Sequence, residues 1–244
     1  MDLLSVNSVN KSYGGVVANT DVSLKVPEGK IVGVIGPNGS GKTTLFNSIV
    51  GHHPIDSGEI YFNNQEISRL TIPKIARMGM LRTFQQTHIY GKMTCVQNMQ
   101  ISSDIDANWK RIFSPFSSDV DDNADELLSF VGLYKKRFLL AGDLSFGQQK
   151  LLEFAMALMK KPRMLLLDEP TAGVNPTLIN GLIDRLHQAN EDMGITLLVI
   201  EHNMRVIMNL AEHIYCLANG TMLAEGDPDS IQNDQRVIDA YLGN

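Results

Sequence analysis

Eight residues, Gly36-Pro37-Asn38-Gly39-Ser40-Gly41-Lys42-Thr43, follow the pattern G-x-x-x-x-G-K-[ST], and the chemistry of that spacing is phosphate binding. Glycines let the backbone wrap closely around a phosphate chain, so that consecutive N–H groups point inward as an anion nest. A helix opening at the end of the loop adds the positive end of its dipole. Lys42 supplies a full charge for the β- and γ-phosphates, and the Thr43 hydroxyl suits a Mg²⁺ ligand. Thr44, the next residue, is counted with the nucleotide-binding set. The flanks agree with this reading. Ile31 to Ile35 is a short apolar, β-branched run of the buried-strand kind, and residues 44–50 read as a helix that Gly51 is placed to stop. A nucleoside triphosphate is the expected ligand.

Further along, the run from Met164 to Leu167 reads as a buried strand ending in Asp168 and Glu169. Asp168 can hold Mg²⁺ directly or through water, and Glu169, pointing to another side, can polarise a water for in-line attack. Two adjacent acids can also cap a helix or line a solvated turn, but beside a P-loop the metal reading is preferred. His202 closes the next apolar strand, so it should stand beside these acids at the carboxyl edge of a parallel sheet, where α/β folds bind ligands. A donor there can contact a γ-phosphate, although a lone histidine is more often structural. Gln85 offers an amide for Mg²⁺ or the attacking water, or is a surface glutamine. Leu144-Ser145-Phe146-Gly147-Gln148-Gln149-Lys150 precedes a helix, and a Ser and Gly at a helix start make either a second anion site or a simple N-cap by Ser145. With one phosphate cradle already present, a second makes sense if it closes on ATP held by another subunit. Tyr13 is either a half-buried aromatic at a strand end or a ring stacked on a base. His52 and His53 are adjacent rather than spaced for a metal, and read as an exposed loop.

The elements that must position these groups are legible in outline. Residues 3–35 alternate as short antiparallel strands, with turns at Gly14-Gly15 and 27–30, and residues 57–62 with Asn63-Asn64 add a strand and a tight turn. A short helix is expected over 73–78, with Thr71 as N-cap. Residues 88–143 change character, with an acidic patch before a helix stopped by Gly132. Helices over 151–160 and 178–190 alternate with strands over 164–170 and 195–200, as in a covered parallel sheet. A hairpin, 214–218 and 221–225, turns at Asn219-Gly220, and a last helix covers 235–241. The fold class is α/β: a P-loop NTPase core with a parallel sheet, an antiparallel β subdomain and an inserted α-helical subdomain. One domain is expected, with 1–87 and 157–244 as the core and 88–156 as the insert.

The 244 residues suffice for a sizeable core, and a net charge of −6 argues against a nucleic-acid partner. Cys95 and Cys216 have no C-x-x-C spacing, which suits buried thiols in a reducing compartment. Neither a signal peptide nor a membrane span is visible, so a cytoplasmic protein with any membrane role supplied by partners is expected.

The ordered set Gly36 to Thr43, Gln85, Leu144 to Gln148, Leu165-Leu166-Leu167-Asp168-Glu169-Pro170 and His202 resembles the ATP-binding subunits of ABC transporters across essentially the whole chain. The resemblance implies that Tyr13 stacks on adenine, that Gln85 is the Q-loop glutamine, Glu169 the catalytic base and His202 the switch histidine. It implies that Ser145, Phe146, Gly147 and Gln148 form the signature that closes on a partner's ATP. Two subunits, identical or paralogous, would sandwich two ATP molecules and drive integral membrane permease subunits from the inner face of the membrane. Two departures stand out: Phe146 where the signature usually has Gly, and Asn175 where many members have Asp. Both, with Arg82-Thr83-Phe84-Gln85, Ile200-Glu201-His202-Asn203-Met204 and Ala240-Tyr241-Leu242-Gly243, resemble the Liv-type subgroup. Its members serve uptake of branched-chain amino acids and related solutes such as urea, fed by an external binding protein. Lipopolysaccharide-export ATPases are close relatives. A soluble ABC-type ATPase acting on ribosomes or DNA would carry fused units or basic extensions, and a small-molecule kinase would leave the signature without purpose.

Overall fold

The computed structural model describes residues 1–83, 88–103 and 118–242. Strands β1 (Asp2–Tyr13), β2 (Val16–Pro27), β4 (Ser57–Phe62) and β5 (Gln65–Glu66) form an antiparallel sheet in the order β2-β1-β4-β5. Their alternation puts Leu4, Val6, Val22, Leu24 and Ile60 inside, in one cluster with Leu45 and Phe46 of the helix after the P-loop. At the β4–β5 turn, Asn63 and Asn64 both take positive φ, the backbone a tight two-residue hairpin requires.

The second sheet follows the order β10 (Thr221–Gly226), β9 (His213–Ala218), β3 (Ile31–Ile35), β8 (Thr196–Ile200), β7 (Met164–Asp168), β6 (Met80–Arg82). Here β3, β7 and β8 are buried at every position, as strands covered on both faces must be. They pair in parallel with one another and with β6 and β9. Strand β10 runs antiparallel, turned from β9 at Asn219-Gly220.

Helix α1 (Lys42–Ile49) follows β3 and ends at Val50, with Gly51 at φ 73. In α2 (Ile72–Arg77), Thr71 occupies the N-cap position but its side chain makes no capping bond, so Pro73 and backbone alone set that start. Next come α3 (Cys95–Ser103) and α4 (Ser118–Phe130), the latter followed by Gly132 at φ 76. Helix α5 (Phe146–Leu158) begins five residues before the expected 151, because Ser145 and Gln148 close a capping box at once. The remaining helices are α6 (Pro176–Glu191), α7 (Met204–Leu210), α8 (Pro228–Asn233) and α9 (Gln235–Leu242).

The chain divides into two compact units. The first contains Met1–Arg82, Arg163–Pro170 and Leu186–Asn244, hence both sheets; the second contains Thr83–Pro162 and Thr171–Arg185. The second unit has its own core, including Met99, Leu128, Leu152 and Phe154. The segment after β7, which the sequence division kept with the core, belongs here to the second unit.

Candidate functional site

In the first unit the loop between β3 and α1 turns on Gly36, Gly39 and Gly41 at φ 146, 79 and 96. A Cβ on Gly36 would lie 2.1 Å from the Leu217 carbonyl oxygen, so no side chain fits there. Gly41 caps α1 in the left-handed conformation and no side chain caps the helix, so no side-chain oxygen competes for its first amides. Pro37, Asn38 and Ser40 complete the loop; Ser40 is buried and its N–H donates to the Pro37 carbonyl at 3.2 Å. Lys42 is 7% exposed, and its ammonium donates to the Gly36 and Pro37 carbonyls at 2.8 and 2.9 Å. Burial lowers the pKa of this ammonium, while the charges of Glu169 and then Asp168 pull it back up. That opposition places both acids within electrostatic reach of the loop. Thr43 and Thr44 lie in the first turn of α1.

Asp168 ends β7 and is 5% exposed. Glu169 follows in the left-handed region, φ 50, with its N–H donating to the Ile200 carbonyl at 2.9 Å. A non-glycine residue held there is strained, and strain of that kind clusters at functional sites. The reversal it makes sends two adjacent carboxylates in different directions. Asp168 pairs with Ile200 across β7 and β8, so His202 emerges beside Glu169; its Nδ1 lies 3.7 Å from Glu169 Oε1. The structure thus brings Lys42, Asp168, Glu169 and His202 to one edge of the parallel sheet. The Thr43 hydroxyl and the Asp168 carboxylate are hard oxygen donors of the kind Mg²⁺ takes, and a site completed by nucleotide phosphates needs few protein ligands. Among the described residues no cluster of three His, Cys, Asp or Glu could hold a metal alone.

Tyr13, 42% exposed at the end of β1, stands edge-on to the His53 ring at 5.6 Å, with Lys11 Nζ 5.1 Å from its centroid. His52 and His53 contact each other, Nδ1 to Nε2, at 3.2 Å. Gln85 lies outside the described residues.

In the second unit Ser145 is the N-cap of α5. Its Oγ accepts the Gln148 N–H at 3.4 Å, and its own N–H donates to Gln148 Oε1 at 3.2 Å, both long bonds. Gly147 packs under Leu178 and Val174, where a Cβ would sit 3.0 Å from Leu178 Cδ1. Phe146 lays its ring on Gly173, whose φ is 72 and whose absent Cβ would meet the ring at 2.9 Å. The aromatic in the signature is therefore matched to a glycine in the loop after β7.

Three side chains near the site carried no sequence signal of their own. The Tyr241 hydroxyl on α9 accepts the Gly36 N–H at 2.8 Å, and burial pushes that phenol up to about 12. Arg82 and Asn47 meet at the Asp168 side of the site. Arg82 and Tyr241 were visible only as parts of a subgroup pattern, since nothing local marks either as facing a distant partner.

Together the loop, the acids and the sheet edge define a P-loop nucleotide-binding cassette. A family model described as ABC transporter matches residues 19–172, and one described as Branched-chain amino acid ATP-binding cassette transporter matches residues 221–244. The high-affinity branched-chain amino acid transport ATP-binding proteins LivG of Escherichia coli and BraF of Pseudomonas aeruginosa are each 36% identical over 249 residues, covering 99% of this chain and 98% of theirs. The crystal structure of the ADP conformation of MJ1267, an ATP-binding cassette of an ABC transporter, matches with a TM-score of 0.90 at 33% identity over 100% of both chains. The ATP-binding cassette MJ0796, in a dimeric post-hydrolysis state bound to ADP and Pi, matches with a TM-score of 0.80 at 26% identity, over 92% of this chain and 98% of that one. The chain belongs to the ABC transporter family. It is an ATP-binding subunit with ATPase activity, part of a transporter complex, and no helix among its described residues is long and apolar enough to cross a membrane.

Proposed function

We propose that this subunit powers uptake of branched-chain amino acids. The supporting observation is the full-length similarity to LivG and BraF, extended to the C-terminal match over residues 221–244. In the proposed mechanism the amides and Lys42 of the P-loop hold the ATP phosphates, with Tyr13 against the adenine. Thr43, Asp168 and Gln85 would hold Mg²⁺, which would supply positive charge against the phosphates at the reacting bond. Glu169 orients the attacking water and takes its proton, and His202 donates to the γ-phosphate. Ser145, Phe146, Gly147 and Gln148 close on ATP held by a second ABC ATPase subunit, so that hydrolysis and reopening drive integral permease subunits at the cytoplasmic face. An external binding protein delivers the solute to that permease.

Deleting the gene tests the substrate. Leucine uptake should fall to background and return with the wild-type gene but not with Glu169→Gln, while urea uptake stays unchanged. Loss of urea uptake with leucine uptake intact would overturn the assignment.

A further inference from the structure

Arg82 ends β6, which pairs in parallel with β7 so that Arg82 lies opposite Leu166. From there its side chain reaches the end of the neighbouring strand. Nη2 donates to Asp168 Oδ2 at 2.6 Å, and both side chains are 6% exposed. Nη1 donates to Asn47 Oδ1 at 2.5 Å, and the guanidinium carbon lies 5.8 Å from the Phe46 ring centroid. Asn47 sits on α1 four residues after Thr43, one turn further along the same helix face. A single buried guanidinium therefore joins the strand end that carries Asp168 to the helix that carries Thr43.

We propose that Arg82 is a positioning residue for the Mg²⁺ site: it fixes the Asp168 carboxylate and ties it to α1 through Asn47. The proposal rests on reading Asp168 and Thr43 as the metal's protein ligands. A carboxylate free to rotate must be ordered each time it takes a metal, whereas one whose Oδ2 is clamped already offers Oδ1. Partners behind a metal ligand commonly change metal affinity ten- to a hundredfold when removed. Lysine is a poor replacement, because one ammonium on a flexible stem lacks the planar fork that reaches two acceptors in fixed directions. A purely structural ion pair would act on folding and on nucleotide binding alike, with or without metal.

The two roles separate in an equilibrium titration with a fluorescent ADP analogue, run in Mg²⁺ and in EDTA. Mg²⁺ should tighten binding to the wild type. In Arg82→Lys that tightening should shrink about tenfold, while affinity in EDTA stays within about twofold. Asn47→Ala removes no charge and should shrink it about threefold, and the double variant should be no worse than Arg82→Lys. Asn47→Ala carries the test alone if Arg82→Lys does not fold. Equal losses in Mg²⁺ and EDTA, or no loss in either, would overturn the positioning role. A wild type that gains nothing from Mg²⁺, with Asp168→Asn behaving identically, would instead remove the metal reading of Asp168 and the proposal with it.

Discussion

Helices α1 and α5 both carry Ser and Gly where they open, and their first turns are finished in opposite ways. The α1 start is capped by Gly41 without a side-chain bond, and the Lys42 ammonium is folded back on loop carbonyls in a nearly buried setting. The α5 start is closed by its own Ser145 and Gln148, with Phe146 43% exposed beside them. A helix end that holds phosphate within its own chain gains from leaving its amides to the ligand. One whose anion arrives with another molecule needs an interim partner, and two long hydrogen bonds are cheap to exchange. In the proposed mechanism the same motif chemistry serves a built site in one unit and a half-site in the other.

The comparison breaks most visibly at Lys42. Lys42→Ala should weaken nucleotide binding at least about a hundredfold, since charge-assisted bonds to two phosphates are worth about 1.5–3 kcal/mol each. A fluorescent-nucleotide titration reads this directly. Gly173→Ala strains a left-handed position and drives a methyl into the Phe146 ring, so it should destabilise the protein by about 1–2 kcal/mol in urea unfolding. Adding Phe146→Ala should recover the steric part and leave the backbone part, and strictly additive losses would show that the two residues are not matched. Ser145→Ala should cost about 1 kcal/mol of stability and leave nucleotide affinity within twofold, roughly the difference expected between a cap and a phosphate ligand. If it weakens binding as much as Lys42→Ala does, the two helix starts are not different in kind. Tyr241→Phe, which keeps the ring and removes the acceptor of the Gly36 N–H, should lower affinity only about two- to fivefold, the scale of one neutral hydrogen bond.

What the sequence made legible follows from the range of each interaction. The P-loop, the apolar runs before Asp168 and His202, and the Asn219-Gly220 turn are local: they depend on glycine at positive φ or on uninterrupted burial, and both are written in consecutive residues. The start of α5 is read two ways in the sequence, from the periodic apolar face at 151 and from an N-cap at Ser145. The capping box decides for Ser145, because periodicity marks the middle of a helix and a cap marks its end. The strained backbone at Glu169 is invisible in residue identity. Arg82 with Asp168, Tyr241 with Gly36 and Phe146 with Gly173 are tertiary pairs between segments far apart in the chain, set by strand order and helix docking. Thr71 shows the reverse failure: its type and place were right for a cap, yet its side chain makes no such bond.

Specific ATPase activity across protein concentration, followed beside mass by light scattering for wild type and Ser145→Arg, tests the central claim most directly. Activity per subunit should rise as chains associate, and Ser145→Arg should abolish turnover while its own P-loop binds nucleotide normally. Full activity per subunit from a species that scatters as a monomer, unchanged in Ser145→Arg, would contradict a site completed by a second subunit.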